Sequence, residues 1–140
     1  MKKVKKILSI VLIGILAVFV LQQLYYRIAF NGNLIFYVSN ESLVNFTQMQ
    51  IYIDGNEVLE DKLTNETTHL YKPYAVKITP SNHTVVIKID GNVCKEIKLN
   101  TLLVTFVTVD YYGDRFIIPG SEINQYFNIT IRKHPLRFIA

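Results

Sequence analysis

The chain has 140 residues, half of them hydrophobic, and a formal net charge of +4. Five of its fifteen lysines and arginines lie before residue 28, whereas residues 31–140 carry ten of them against eleven acidic residues. The greater part of the chain is therefore close to neutral, and its basic pI does not indicate a nucleic-acid-binding surface. Cys94 is the only cysteine, which excludes an intramolecular disulfide.

The N-terminal segment has the pattern of a membrane-spanning helix. Four lysines precede an uncharged run of twenty residues, 7–26, and a single arginine follows it. Twenty residues of α-helix extend about 30 Å, the thickness of a bilayer's hydrocarbon core. The lysine excess predicts a cytoplasmic N-terminus, with the rest of the chain outside. The residues expected at the two membrane interfaces are Lys2, Lys3, Lys5, Lys6, Tyr25, Tyr26 and Arg27.

A cleaved secretory signal is the alternative interpretation of this segment, since its charged start and apolar stretch 7–21 also fit one. A cleavage site needs small residues one and three positions before the cut. Ala17 lies inside the apolar run, and Ala29 has Arg27 two positions before it. An uncleaved anchor is therefore favoured over a cleaved signal. The amides of Gln22 and Gln23 weaken the span near its outer end, because polar groups are costly in lipid.

These boundaries divide the chain into four parts. Residues 1–6 are a cytoplasmic basic tail, 7–26 a transmembrane signal anchor, 27–33 a linker and 34–140 one extracytoplasmic domain. At about 3.5 Å per residue or less, the linker keeps the domain within about 25 Å of the bilayer. Such a short connection favours a role beside the membrane.

After residue 30 the sequence has the short apolar runs of β-strands, without helical periodicity. Asp-Gly-Asn at 54–56 and again at 90–92 predicts two tight hairpins. Residues 102–111 are more uniformly apolar and predict a central strand. Seven or eight strands at this spacing predict an all-β domain, a small antiparallel β-sandwich of immunoglobulin or transthyretin type. The predicted strands are 34–38, 48–53, 58–63, 75–78, 83–89, 93–99, 102–111, 126–131 and a short segment at 136–139.

Two segments resemble a known family. Residues 51–56, IYIDGN, and 80–87, PSNHTVVI, resemble the signature hairpins of PEGA-like and carboxypeptidase-regulatory-like (transthyretin-type) β-sandwiches. In those domains a VYIDG strand and turn are followed by a PGxHTV strand start, and here Asn82 stands in place of the glycine. The chain is also similar to small membrane-anchored or lipidated proteins of Bacteroidota-type bacteria. The resemblance implies a β-sandwich in the cell envelope and supplies no catalytic residues. Three further segments share in the likeness: 110–112, 127–131 and 135–138.

Residues 112–125 form the longest segment without strand signals, and loops of that length are often functional. Tyr111, Tyr112, Arg115 and Phe116 are the residue types that anchor a protein partner or stack on a sugar ring. These four are the candidate partner or ligand contacts. The alternative is that the aromatic rings cover one end of the sandwich core.

The sequence shows no catalytic constellation. Glu60 and Asp61 are adjacent, so on a strand they point to opposite faces. Cys94 has no histidine at a spacing that implies activation, and the aspartates beside glycine indicate turns before calcium ligation. We therefore expect a non-enzymatic protein without metal or cofactor. The scattered histidines are His69, His83 and His134, and the turn aspartates are Asp54, Asp90 and Asp114.

The functional expectation is a single-pass inner-membrane protein whose sandwich makes protein–protein or structural contacts, as an accessory subunit of a membrane complex. Its expected partners are the lipid bilayer and other membrane or envelope proteins, and not nucleic acid. The alternatives are a module that binds envelope glycan and a secreted, glycosylated ectodomain. The second alternative rests on five Asn-x-Ser/Thr sequons. They begin at Asn40, Asn45, Asn65, Asn82 and Asn128.

Overall fold

The computed structural model describes residues 2–42, 46–64, 71–113 and 126–134. Within these ranges the chain forms one N-terminal helix and eight strands in two four-stranded sheets. The strand order is β4-β1-β7-β8 in the first sheet and β3-β2-β5-β6 in the second. The elements are α1 (Lys2–Ala29), β1 (Leu34–Asn40), β2 (Phe46–Ile53), β3 (Asn56–Thr64), β4 (Lys72–Val76), β5 (Asn82–Ile89), β6 (Asn92–Asn100), β7 (Thr105–Gly113) and β8 (Tyr126–Arg132).

The helix α1 is long and apolar enough to span a membrane. Its segment Val4–Ala29 has a mean hydropathy of 2.6, and none of its most apolar window is buried. The helix runs beyond both predicted limits of the span, because neither the lysines nor Arg27 interrupt helical geometry. It ends where Asn31 takes a left-handed conformation, with φ at 51°. Residues 30–33 connect α1 to β1, so the predicted linker 27–33 begins within the last turn of the helix.

Both sheets contribute to a single apolar core, which gives the domain a sandwich-like arrangement. In β2 and β5 every second residue is buried, as the alternation in the sequence predicts. Phe36 of β1, Met49 and Ile51 of β2, Ile87 of β5 and Val107 of β7 are fully buried in this core. The strand β1 is buried on both faces, because its outer face is covered as well.

One pair of strands departs from the predicted antiparallel arrangement. Leu34 of β1 pairs antiparallel with Val76 of β4, but β1 runs parallel to β7, where Leu34 pairs with Thr105. The first sheet is therefore mixed, and the prediction of a wholly antiparallel sandwich was wrong for this pair. Alternation of apolar residues shows which face of a strand is buried, but not which strand lies beside it or in which direction.

The two predicted hairpins are confirmed. Asp54 and Gly55 connect β2 to β3 with φ values of 50° and 83°. Asp90 and Gly91 connect β5 to β6 with φ values of 49° and 80°. Positive φ at both central residues is typical of the type I′ turn, whose twist matches that of paired strands.

Most strand boundaries differ from the prediction by one or two residues, and the start of β7 and the position of β4 differ most. Residues 102–104 lie in the connection between β6 and β7, and Leu102 is 65% exposed. The predicted strand 102–111 therefore begins three residues too early, because residues 102–104 are apolar without being part of a strand. The fourth strand is Lys72–Val76 and not 75–78, and Pro73 lies on the edge of its sheet, where proline is tolerated. The predicted segment 136–139 lies outside the described residues.

The sandwich has two distinct ends. The helix end contains the start of β1 directly after α1, with Val76 and Thr105 beside it in the sheet. In the other sheet, the Asp54–Gly55 turn and the paired Asn82 and Asn100 lie at this end. Asn33 connects the sheets here, because its Nδ2 donates to the Thr101 carbonyl at 3.4 Å. The far end contains the opposite strand termini, which are Asn40, Phe46, Thr64, Asp90 and Tyr111.

Candidate functional site

The C-terminal turns of α1 pack against the helix end of the sandwich. Phe106 of β7 is 1% exposed, and its ring lies edge-on to Tyr26 and Phe30, with centroids 5.6 and 5.3 Å away. On its other side Phe106 stacks on Tyr37 of β1 at 6.2 Å. Residues at i, i+4 lie on one face of a helix, so Tyr26 and Phe30 meet the same ring. The helix α1 and the sandwich are therefore joined by packing as well as by the chain.

A hydrogen bond strengthens this junction. The side-chain Oε1 of Gln23 accepts the backbone N–H of Val104 at 2.9 Å. Val104 is 2% exposed, so its N–H would otherwise be left unsatisfied at a free-energy cost. Gln22 also has a partner, since its Nε2 donates to the Tyr26 hydroxyl at 2.6 Å. Gln22 and Gln23 were expected to weaken the membrane span. In the structure their amides are hydrogen-bonded where α1 contacts the sandwich.

The predicted interface residues of α1 divide into two groups. Lys5, Lys6, Tyr25 and Arg27 are exposed, whereas Tyr26 is half-buried against the sandwich. The side chains of Lys2 and Lys3 lie outside the described part of the chain. Tyr26 was predicted to lie at the membrane interface, which stays a prediction, and its ring packs against Phe106 of the sandwich.

The candidate contact cluster at the far end is only partly described. Tyr111 is 5% exposed and belongs to the main core, which corrects its predicted role as a partner contact. Tyr112 is half-buried and lies on the opposite face of β7, as alternation along a strand requires. Arg115 and Phe116 lie outside the described residues, so their contact role stays a prediction. The candidate contact cluster therefore keeps Tyr112 and loses Tyr111.

A serine, a histidine and an aspartate meet at the helix end. His83 Nδ1 lies 2.6 Å from Asp54 Oδ2, and its Nε2 lies 3.0 Å from Ser81 Oγ. Asp54 also accepts the backbone N–H of Thr84 at 2.9 Å. The pairing of β2 with β5 brings these residues together, although His83 and Asp54 are 29 positions apart. Asp54 was predicted to lie in a turn, and no spacing in the sequence predicted its contact with His83.

Both ring nitrogens of His83 are held by hydrogen bonds to neighbouring parts of the domain. His83 Nε2 donates to the Thr79 carbonyl at 2.8 Å, and a carbonyl can only accept. The other ring nitrogen donates to the Asp54 carboxylate. When both contacts are made at once, both nitrogens carry protons, and the ring then has no lone pair with which to activate Ser81. His83 therefore connects the Asp54 turn to the start of β5 by a hydrogen bond.

The His83–Asp54 interaction makes the stability of the fold depend on pH. The hydrogen bond to Asp54 is the main cause that raises the pKa of His83, and the same bond lowers the pKa of Asp54. A raised histidine pKa stabilises the fold fully below the unfolded value of about 6.5, and that stabilisation is lost as pH rises through the folded pKa. A lowered aspartate pKa stabilises the fold above about 3.9, and that contribution is lost in acid.

We expect the melting-temperature difference between the wild type and His83→Gln to be largest near pH 5–6 and to shrink toward pH 9. Asp54→Asn should reduce the same pH dependence, because the carboxylate that holds the proton is gone. Melting temperatures of the three proteins at matched ionic strength measure this. A difference that does not change with pH would contradict the assignment of a charged His83.

A second polar cluster joins the edges of the two sheets. Asp61 of β3 accepts hydrogen bonds from Lys72 Nζ and the Tyr74 hydroxyl of β4. Burial, followed by this hydrogen bond, raises the pKa of Tyr74 to about 12. Glu60 points to the opposite face, where it accepts from Gln48 Nε2 at 2.5 Å. The prediction that Glu60 and Asp61 point to opposite faces of the strand is confirmed. Asp61 connects the two sheets through its hydrogen bonds to β4.

Asp110 is a buried carboxylate near the far end. It is 4% exposed and accepts hydrogen bonds from Ser39 Oγ at 3.0 Å and Asn128 Nδ2 at 3.2 Å. Tyr71 also bonds it, and burial together with this bond raises the pKa of Tyr71. Across the described ranges, no group of three or more histidine, cysteine, aspartate or glutamate side chains could hold a metal ion. The cluster ties β1, β7 and β8 together with neutral donors.

Comparisons of the chain with protein-family models, with curated proteins and with solved structures found no match.

Proposed function

We propose that this protein is a single-pass, membrane-anchored envelope protein whose β-sandwich makes protein–protein contacts beside the bilayer. The observation that carries the proposal is the combination of an apolar, unburied α1 with a sandwich packed on its last turns. Because Gln23 and Tyr26 hold the domain, the sandwich has a set position relative to the anchor. A domain held in this way suits an accessory subunit of a membrane complex.

The proposed orientation has the N-terminus in the cytoplasm and the sandwich in the periplasm, across an inner membrane. The lysines before the span support it, since cytoplasmic flanks carry an excess of positive charge. The proposed family is the PEGA-like, transthyretin-type sandwich. Its two sequence motifs lie on the neighbouring strands β2 and β5, where Asp54 of the first motif bonds His83 of the second.

The far end of the sandwich is the proposed contact surface, because it lies opposite the anchor. The register of β7 places Thr105 at the helix end and Tyr111 at the far end. Tyr112, Arg115 and Phe116 follow in sequence and are the residue types that concentrate binding energy in protein interfaces. The proposal is non-enzymatic, and the contacts that hold both His83 nitrogens, to Asp54 and to the Thr79 carbonyl, support it.

The described residues give little support to the two alternative functions. A glycan-binding surface loses one of its aromatic candidates, because Tyr111 is in the core. The glycoprotein alternative loses at least one acceptor in the folded domain: Asn40 is 1% exposed and its Nδ2 donates to the Leu63 carbonyl at 3.3 Å.

Topology can be tested with fusions after Ala140. We expect an alkaline phosphatase fusion to be active and a cytoplasmic fluorescent reporter at the same position to be dark, since the phosphatase matures only outside the cytoplasm. The control is a pair of fusions after Lys6, before the apolar run, which should show the reverse. Reversed signals at Ala140 would overturn the proposed orientation.

The contact surface can be tested by affinity purification of the full chain in mild detergent. We expect a stoichiometric membrane partner with the wild type, and a roughly thirtyfold or greater loss of affinity for Arg115→Ala, because hot-spot truncations cost about 2 kcal/mol or more. Arg132→Ala is the matched control, since this exposed arginine ends β8 at the helix end. Equal partner recovery with Arg115→Ala, Tyr112→Ala and Arg132→Ala would exclude the far end as the contact surface.

A further inference from the structure

The connection between β6 and β7 carries two leucines alongside α1. Leu102 is 65% exposed, and Leu103 is half-buried. An exposed leucine by itself needs no explanation. This one borders an apolar groove of about 200 Å³ between the loop and the helix, which Phe19, Val20 and Leu24 line on the helix side. The leucines therefore continue the apolar surface of α1 onto the sandwich.

The position of the loop along α1 gives its depth. Phe19 precedes Tyr26 by seven residues, which is about 10 Å at the rise of an α-helix. If residues 7–26 occupy the hydrocarbon core, the side of the groove formed by Phe19 and Val20 lies well inside it. Leu102 and Leu103 line the same groove, so they reach the same outer part of the bilayer.

Three backbone polar groups of this loop have side-chain hydrogen-bond partners. The N–H of Leu102 donates to Asn100 Oδ1 at 3.0 Å, and the N–H of Val104 donates to Gln23 Oε1. The carbonyl of Leu103 accepts from Thr105 Oγ1 at 2.9 Å. In lipid each unsatisfied backbone group costs several kcal/mol, since no water replaces the missing partner. Side chains supply partners for these three backbone groups, which strand pairing does not reach.

Cationic side chains surround the base of the loop. Arg27 is exposed beside the groove, and Lys77 and Arg132 are exposed at the same end of the sandwich. Lys133 Nζ donates to the Asn100 carbonyl at 2.6 Å, at the start of the loop. Cations at this level are attracted to lipid phosphates. The acidic groups at this end, Asp54 and Glu57, are engaged by His83 and by Tyr52 with Gln50.

We propose that residues 102–104 form a second membrane contact, with Leu102 and Leu103 inserted into the outer leaflet beside α1. A lipid acyl chain fills the groove between the loop and the helix, and the cations lie at the phosphate level. The inference rests on the proposed anchoring of α1. In addition to the anchor, the sandwich then contacts the bilayer through its own surface. This contact orients the helix end toward the membrane and the far end away from it.

Fluorescence quenching in vesicles tests this with the full chain. In a Cys94→Ser background, an environment-sensitive dye is attached after Leu102→Cys, Leu16→Cys or Phe46→Cys, one at a time. Leu16 lies in the middle of α1 and reports insertion of the anchor. Phe46 is the matched control, because it is an exposed apolar residue of the sandwich, 53% accessible, at the far end. The dye at position 102 displaces no packed side chain, since Leu102 is largely exposed.

We expect lipids brominated on their acyl chains to quench the dye at positions 16 and 102, and aqueous iodide to quench mainly the dye at 46. Iodide quenching at 102 as strong as at 46, together with bromolipid quenching at 16, would overturn the loop insertion and leave the anchor intact. Absence of bromolipid quenching at 16 would overturn the anchor, and with it the loop insertion. Near-ultraviolet circular dichroism of each labelled protein verifies that the sandwich is folded.

Discussion

Phe106→Ala is expected to lower the free energy of unfolding by about 3–5 kcal/mol, the range for truncation of a buried phenylalanine. Phe106 is 1% exposed and contacts Tyr26 and Phe30 of the helix end and Tyr37 of β1. Its removal therefore leaves a cavity at the only point where rings of α1 and the described sandwich meet. Urea unfolding in mild detergent, followed by near-ultraviolet circular dichroism, measures the loss.

Phe46→Ala is the control, because Phe46 is 53% exposed and its truncation should change stability by only about 0.5 kcal/mol. A double-mutant cycle with Tyr26→Ala then isolates the junction. We expect a coupling energy of about 0.5–1.5 kcal/mol between Tyr26 and Phe106, typical of an aromatic pair. Additive losses would show that the helix does not dock through this pair.

Ile87→Ala is expected to cost about 2–5 kcal/mol, because truncation of a fully buried isoleucine removes apolar contacts and leaves a cavity. Ile87 is 0% exposed in the centre of β5, where it pairs with Ile51 of β2. The same unfolding experiment measures the effect.

Val86→Ala is the control for this position, since Val86 is half-buried on the outer face of the same strand. Its truncation should cost clearly less than that of Ile87. Equal losses at the two positions would contradict the alternation on which the sandwich-like packing rests.

The local features of this fold could be predicted from sequence because their causes are local. Aspartate followed by glycine requires positive φ in a hairpin, and both turns, at Asp54 and Asp90, have it. Alternation in β2 and β5 predicted the buried faces of both strands. The run of apolar residues in α1 predicted a helix, although its ends extend beyond the uncharged segment.

The remaining features depend on contacts between distant parts of the chain. The parallel pairing of β1 with β7 leaves no mark in either strand, since both are simply buried. Apolar residues at 102–104 read as strand because sequence does not distinguish a surface facing a helix from a core. Tyr111 and Tyr112 are the same residue type at adjacent positions, so the sequence does not show which ring is buried. The register of β7 shows that Tyr111 is buried and Tyr112 half-buried.

The parallel pairing of β1 with β7 also sets the order in which the domain can assemble. The hairpins β2–β3 and β5–β6 close over turns of a few residues, whereas Ser39 of β1 bonds Asp110 of β7 across 71 positions. Loop closure over such a separation is entropically costly and slow, so this contact forms after the local ones. The strand that directly follows α1 is therefore completed late. Under the topology proposed above, a nascent chain that has not yet reached residue 105 exposes an apolar strand next to the bilayer, and export must finish before that strand is covered.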